Sequence, residues 1–421
     1  MSDYFDRIER QLVRSVKAGV PRSSRFPIRL QHLAPIAAVL VVVAVAGVFL
    51  GARGRGPGGS APTGHGLRIV FTASVLDPRS PAGPAIERSI RILRVRLHSL
   101  FHDVEVTRAG NRISVVLPEA SSSSRGRIVA LAAPGRLAFY DWEANALTPN
   151  GRRVASQLQA HNSSAFTISQ GSGSAASGDA GAGSMNLYDA VKLAAQQPAQ
   201  LTPDSAQRGS QYYMFGDPGS AACATAAKDQ GTTTRVPGVH CLLAGPQGNQ
   251  SDLLSALPRG VARGQELVIK PGTVLLQAAD STAGHHTSFA DPKAEFFVLR
   301  DRVWLVGDEV THPRQRRDQS GSPDLTFSLT SKGAEAFHKA TSAIAHRGNL
   351  VSGLGQTLNQ HFAVALDGKL LTVPQIDFKT YPDGIPGRNG ADIAGGFTTQ
   401  AARDLATVLA FGPLSVYLKT Q

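Results

Sequence analysis

Few residues of this chain have the types and spacing that do chemistry. His285 and His286 are its only adjacent histidine pair. Neighbours on a strand or loop point in different directions, and without acids at ligand spacing the pair reads as part of an exposed loop, not a metal site. No G-x-S-x-G elbow, H-E-x-x-H pair, phosphate-binding G-x-x-x-x-G-K loop or doubled C-x-x-C occurs. No nucleophile and base can therefore be named; neither catalysis nor a cofactor is expected. Gly219-Ser220, ahead of a helix near Ala221, offers an anion-binding helix start of a common kind. Arg314, Arg316 and Arg317, following Pro313, form a basic cluster that is either a contact for lipid head groups or an acidic partner, or a solvated turn. Cys223 and Cys241 lie in one segment without metal-type spacing. Outside the cytoplasm they would be a disulfide worth about 3 kcal/mol; the other reading is two unpaired thiols.

The chain that must position these residues is 421 residues long and 42% hydrophobic, with 43 glycines and 25 prolines, enough for one large or two ordinary domains plus tails. Its net charge of +12 is uneven: residues 1–66 hold nine Lys or Arg against three acids, half of the excess. The remainder is spread over the other 355 residues with 6% aromatics and no interleaved basic and aromatic patch, so nucleic-acid binding is not expected.

Residues 1–32 read as a basic cytoplasmic tail, with Phe5, Ile8, Leu12 and Val16 at the spacing of an amphipathic helix. Residues 33–52 carry no charge and are apolar on every face. At 1.5 Å per residue they span about 30 Å, the depth of a bilayer core, so a transmembrane helix in membrane lipid is expected here. Basic residues crowd its N-terminal side, which places the N-terminus in the cytoplasm and the bulk of the chain outside. A cleaved signal peptide is the rival reading; the leading basic region is long for one, and no small-x-small site stands clear near Gly51.

Residues 53–66, rich in Gly and Pro, read as a flexible linker. From 67 to 142 the pattern is strand, helix, strand, strand, helix, strand. Leu67, Ile69 and Phe71 alternate. Ile86, Ile90, Leu93 and Leu97 share a helix face with Arg88, Arg91 and Arg94 turned away. Gly110-Asn111 turns a hairpin, and Leu137 with Phe139 forms the last strand. This βαββαβ order is that of a ferredoxin-like unit. Residues 143–265 read as an insert with a Gly/Ser-rich tract at 171–184 and a small unit holding the cysteines. Residues 266–421 regain a regular pattern and read as a second such half. The expected fold class is α+β: two ferredoxin-like halves with antiparallel sheets, plus the membrane helix.

The last sixty residues carry the most specific signal. Phe362 to Leu366 is an apolar strand, Asp367-Gly368 a hairpin turn, Pro374 an edge position, Gly395-Gly396 before Phe397 a bulge or close approach, and Thr398 a helix cap. This stretch, with Ala401, Leu405, Leu409 and Gly412 following, resembles the first large periplasmic domain of SecD, the accessory subunit of the bacterial protein-export translocase. Gly333-Ala334-Glu335-Ala336-Phe337, Asn111-Arg112-Ile113 leading to Leu117-Pro118, and Trp304 to Glu309 are similar to further segments of that domain.

The resemblance implies that Asp367, Gly368, Pro374, Gly395, Phe397, Thr398 and Gly412 are structural motif residues, that 67–142 is a base unit and 266–421 a head together with the closing base strands, and that the partners are exported polypeptide or translocase subunits in the bacterial cell envelope. The sequence departs from the family at Gly412-Pro413-Leu414-Ser415, where Gly-x-Leu-Pro is usual, in its long basic N-terminus and in its polar insert. SecD continues into membrane helices that house the proton-coupled motor; with the sequence reaching Gln421, the expectation is a head without that motor. The expected function is non-enzymatic binding in protein export. The alternative is an envelope sensor whose basic tail meets a cytoplasmic partner.

Overall fold

The computed structural model describes residues 66–76, 80–118, 120–156, 182–200, 209–229, 238–278, 289–318, 321–352, 358–394 and 397–420. The expected cytoplasmic tail, transmembrane helix and linker, apart from Gly66, lie outside the described residues, as do most of the Gly/Ser tract, His285-His286 and Gly395. Among the described residues, no helix is long and apolar enough to cross a membrane. The described chain is mixed α+β, and its strands pair antiparallel except at one contact.

β1 (Leu67–Val75), α1 (Ala82–His98), β2 (Glu105–Ala109), β3 (Arg112–Leu117) and α2 (Arg125–Leu131) follow the order read from the sequence. The spacing of Ile86, Ile90, Leu93 and Leu97 puts all four on one face of α1, where they are buried with Ile69, Phe71, Ile113 and Val115 of the sheet. The sheet does not close as expected. Leu137–Asp141 (β4), expected as its fourth strand, pairs elsewhere, and the place beside β1 is taken by β17 (Val416–Thr420), giving the order β17-β1-β3-β2.

Side-chain pattern explains the exchange. β17 alternates, with Val416 and Leu418 buried and Tyr417 and Lys419 exposed, as a sheet with one wet face requires. β4 is buried at all five positions and needs cover on both faces. It finds this inside a seven-stranded sheet, where β10 (Val303–Val306), β4, β13 (Gln360–Leu366), β14 (Lys369–Thr372), β8 (Thr273–Ala278) and β9 (Phe296–Arg300) are neighbours in that order and β15 (Gln375–Ile376) pairs with β13. β13 alternates large and small residues: Phe362, Val364 and Leu366 join Leu137 and Phe139 in one core, while Ala363 and Ala365 join Ala138, Tyr140, Trp142 and Phe297 in another.

The larger core is roofed by α7 (Ser331–Val351), α8 (Thr399–Ala410) and a three-stranded sheet of β11 (Val310–Arg317), β12 (Pro323–Leu329) and β16 (Ala391–Ala394). A second three-stranded sheet, β6 (Cys241–Gln247), β5 (Gln211–Gly216) and β7 (Gln265–Ile269), belongs to the insert. The strands of residues 266–421 are thus shared among four sheets, and β7, expected to open the second half, pairs with β5 instead. Two shorter helices of the insert, α4 (Leu187–Ala195) and α5 (Ala221–Asp229), follow the sequence reading; α4 packs on the seven-stranded sheet and on β7.

Because β17 closes the first sheet from the far end of the chain, Leu418→Ala is expected to lower the unfolding free energy by about 2–3 kcal/mol in urea titrations. It should also reduce hydrogen-exchange protection at the β1 amides that face β17, with β2 and β3 less affected.

Candidate functional site

Two buried charged groups join the elements of this fold. The first lies where the chain crosses between the four-stranded and seven-stranded sheets. Residues 132–136 link α2 to β4, and residues 411–415 return from α8 to β17. Arg96, on α1, is fully buried between them. Its Nη1 donates to the carbonyls of Leu131 (2.8 Å) and Ala133 (2.6 Å), and its Nη2 to those of Pro134 (3.2 Å) and Gly412 (2.5 Å). One guanidinium therefore ties both crossings to one helix. Asp367 grips the outgoing crossing from the other side, its carboxyl accepting from the Gly135 amide at 3.0 Å and the Arg136 amide at 2.8 Å. Gly135 has φ +78°, and a Cβ there would lie 2.4 Å from Val408 and 3.0 Å from Arg96, so only glycine fits between helix and crossing.

Burial lowers the Arg96 pKa to about 10, which leaves it charged at neutral pH. Burial also raises the Asp367 carboxyl above the usual aspartate value, opposed by its two backbone hydrogen bonds and by Arg96.

The second group sits at the end of β4. Asp141 caps α3 (Trp142–Asn145) by accepting from the Ala144 amide at 3.0 Å, and it receives both Nη atoms of Arg347, on α7, at 2.8 and 2.5 Å. This paired geometry is the strong form of an Arg–carboxylate contact. Arg347 Nη2 also lies 3.6 Å from Glu143, and its Nε donates to Gln360 at 3.2 Å. Glu143 in turn accepts from the His361 amide at 2.9 Å and meets the His361 ring Nδ1 at 2.7 Å. Asp141 and Glu143 are buried, while His361 is partly exposed. Burial pushes the Asp141 carboxyl upward, opposed by Arg347. The chemistry available here is charge pairing that locks α7 onto the sheet. Among the described residues, no group of three or more His, Cys, Asp or Glu could hold a metal ion.

The sequence-predicted residues occupy separate places. Asp367 and Gly368, at φ +52° and +81°, form the β13–β14 turn, and Asp367 alone of the set brings a charge to one of the two groups. The carbonyl of Pro374 accepts from the Phe362 amide at 3.0 Å. Phe397 is in the larger core, Thr398 caps α8 by accepting from the Ala401 amide at 3.1 Å, and the Gly412 carbonyl is a ligand of Arg96. Cys223 and Cys241 are joined as a disulfide that fastens α5 to β6. Ser220 accepts from the Cys223 amide, so the α5 start uses its own cap. Arg314, Arg316 and Arg317 lie on the edge strand β11.

Sequence reasoning missed Arg96, Asp141, Glu143, Arg347 and His361. Arg96 borders the apolar stripe of α1 between Leu93 and Leu97, and Asp141 ends an otherwise uncharged strand; a charge set against an apolar run was the available signal.

With this geometry in view, the family described as SecDF, P1 head subdomain matches residues 284–416. The chain carries a SecD-like head subdomain. The SecD translocase subunit of Koribacter versatilis is 32% identical over 145 residues, 34% of this chain and 23% of that protein. That of Rhodobacter capsulatus is 33% identical over 127 residues, 29% of this chain and 20% of the relative. The alignments with these curated relatives thus span about a quarter or less of their length. A solved structure of SecDF, described as a membrane component that enhances protein export, covers 84% of this chain and 97% of its own at 18% identity, with a TM-score of 0.38. The SecD-like region holds Arg347, His361, Asp367 and Gly412, whereas Arg96, Asp141 and Glu143 lie before it.

Replacing Arg96 by Met leaves the carbonyls of Leu131, Ala133 and Gly412 short of a donor, that of Pro134 keeping the Leu414 amide, and is expected to cost about 3–5 kcal/mol in urea titrations. Asp367→Asn should reveal a pH dependence. The raised folded-state value means that the stability contributed by Asp367 is fully present below the ordinary aspartate pKa and is lost as pH rises through the raised one. The variant's deficit in melting temperature relative to the parent is therefore expected to be larger at pH 4.5 than at pH 8.

Proposed function

We propose that this chain is a single-pass membrane protein with its N-terminus in the cytoplasm. Residues 33–52 cross the bilayer, and the SecD-like module outside binds exported polypeptide or a translocase partner in protein export. The observation that carries this reading is the match of residues 284–416 to the SecDF head subdomain. The uncharged run at 33–52 supports the anchor, and the order β17-β1-β3-β2, with α1 and α2 on one face, supports a ferredoxin-like base beneath the head. The role is binding, not catalysis.

Strand edges differ in how well they would accept an extended chain. β11 is blunted by Pro313, by a register shift with His312 at φ +50°, and by its arginines. On β2, the Val106 carbonyl already accepts from Arg94 at 2.8 Å. β10 is a short edge strand whose Val306 is 39% exposed, and Leu350, near the C-terminal end of α7, is 80% exposed. An extended apolar segment added at β10 would gain main-chain hydrogen bonds and cover Val306.

Photocrosslinking residues placed at Val306 and Leu350 of the full chain in membranes are expected to trap a secretory polypeptide arrested during export or a translocase subunit, with Arg91 on the outer face of α1 as the silent control. Equal labelling at Arg91, or no such adduct at Val306 and Leu350, would remove the export role.

A further inference from the structure

Among the described residues, the sheet β17-β1-β3-β2 buries one face under α1 and α2 and leaves the other uncovered. Register fixes what the uncovered face displays. Lys419 lies opposite Thr72, and Thr72 opposite Arg112, so two cations flank one hydroxyl in a row across three strands. Arg68 is two positions before Val70 on the same face, and its Nε donates to the hydroxyl of Ser114 at 3.1 Å. Tyr417, 44% exposed, is next along β17. Against Arg68, Arg112 and Lys419 the face sets one acid, Glu105, opposite Val116. Three cations with hydroxyls and a tyrosine suit an anionic surface in which phosphates accept hydrogen bonds and an aromatic ring rests at head-group depth.

Chain length says which surface. β1 begins at Leu67, opposite Leu117, and β17 approaches the same end, with Phe71 opposite Thr420. Fourteen residues, 53–66, separate Leu67 from the uncharged run and include Arg53 and Arg55. A chain of fourteen residues spans at most about 46–50 Å, which bounds how far the sheet can stand from that run. On the membrane-anchored reading above, on which this inference rests, the sheet is held near the head groups at a high effective concentration, whereas a free acidic protein must be met by diffusion. The structure assigns the open face of this sheet, through Arg68, Arg112 and Lys419, as a docking surface for anionic lipid head groups. Docking would set the height and orientation of the SecD-like head above the bilayer. It is separate from any capture of polypeptide at β10.

The test uses the full chain in nanodiscs of phosphatidylcholine, alone or with a quarter phosphatidylglycerol. A donor dye is attached at Thr107→Cys on the same face, with the Cys223–Cys241 pair kept oxidised, and an acceptor dye is carried on head groups. Energy transfer is expected to be high in the anionic discs, low in the neutral ones, and abolished by 0.5 M salt. Neutralising one cation at a time, as Arg68→Gln, Arg112→Gln or Lys419→Gln, should weaken docking by about fivefold each. The salt titration, made on unaltered cations, guards against a variant that misfolds.

Equal transfer in neutral and anionic discs, with the chain resistant to carbonate extraction, would overturn the docking and leave the anchor standing. A chain released by carbonate would overturn both. Transfer that appears only when an acidic protein or a second copy of the chain is added would overturn the lipid assignment in favour of that partner.

Discussion

The guanidinium of Arg96 is the interaction on which the rest of this structure depends. The four-stranded sheet takes its strands from the first fifty residues of the described chain and its last five, while every strand between is carried away to other sheets. The chain must leave at 132–136 and return at 411–415, and both crossings bring backbone carbonyls into the interior. Carbonyls buried without donors would cost more than the apolar contacts around them return. Arg96 supplies donors to four of them from one side chain, and a planar fork of N–H groups is suited to this where a lysine is not. Asp367 completes the arrangement by occupying the amides that the crossing leaves free. The β13–β14 turn is thereby more than a hairpin: its carboxyl holds the passage between two sheets.

A second ion group does for the seven-stranded sheet what Arg96 does for the crossing. Arg347 reaches from α7 to Asp141 at the end of β4, with Glu143 and His361 alongside. β4 comes from the early part of the chain, and α7 and β13 from the SecD-like region. Residues far apart in sequence are locked together at both ends of β4, which makes the early strand part of the seven-stranded sheet as well as a neighbour of the crossing to the four-stranded one.

The division of surfaces follows from the same topology. One sheet keeps a wet face because its helices lie on one side only. The large sheet is covered on both sides and offers its edges. A module with one charged open face and a short apolar edge strand elsewhere has two distinct surfaces for contact. This fits a binding role better than a chemical one, in keeping with the export reading proposed for the chain.

The sequence by itself determined local structure well. Period-two alternation marked β1, β3 and β12, the spacing of Ile86, Ile90, Leu93 and Leu97 marked α1, and the Asp367-Gly368 turn followed from the positive φ such a hairpin needs. The motif around it, from Phe362 to Gly412, was specific enough to carry the resemblance to SecD. Only the tertiary structure decided partnership: that β17 rather than β4 lies beside β1, that β7 pairs with the insert, and that Arg96, on the border of an apolar stripe, points inward. Local pattern records which faces a strand must bury, but strands with similar patterns compete for the same neighbour. The winner is set by which sheet can cover the faces each strand has, and by where buried carbonyls can find a donor.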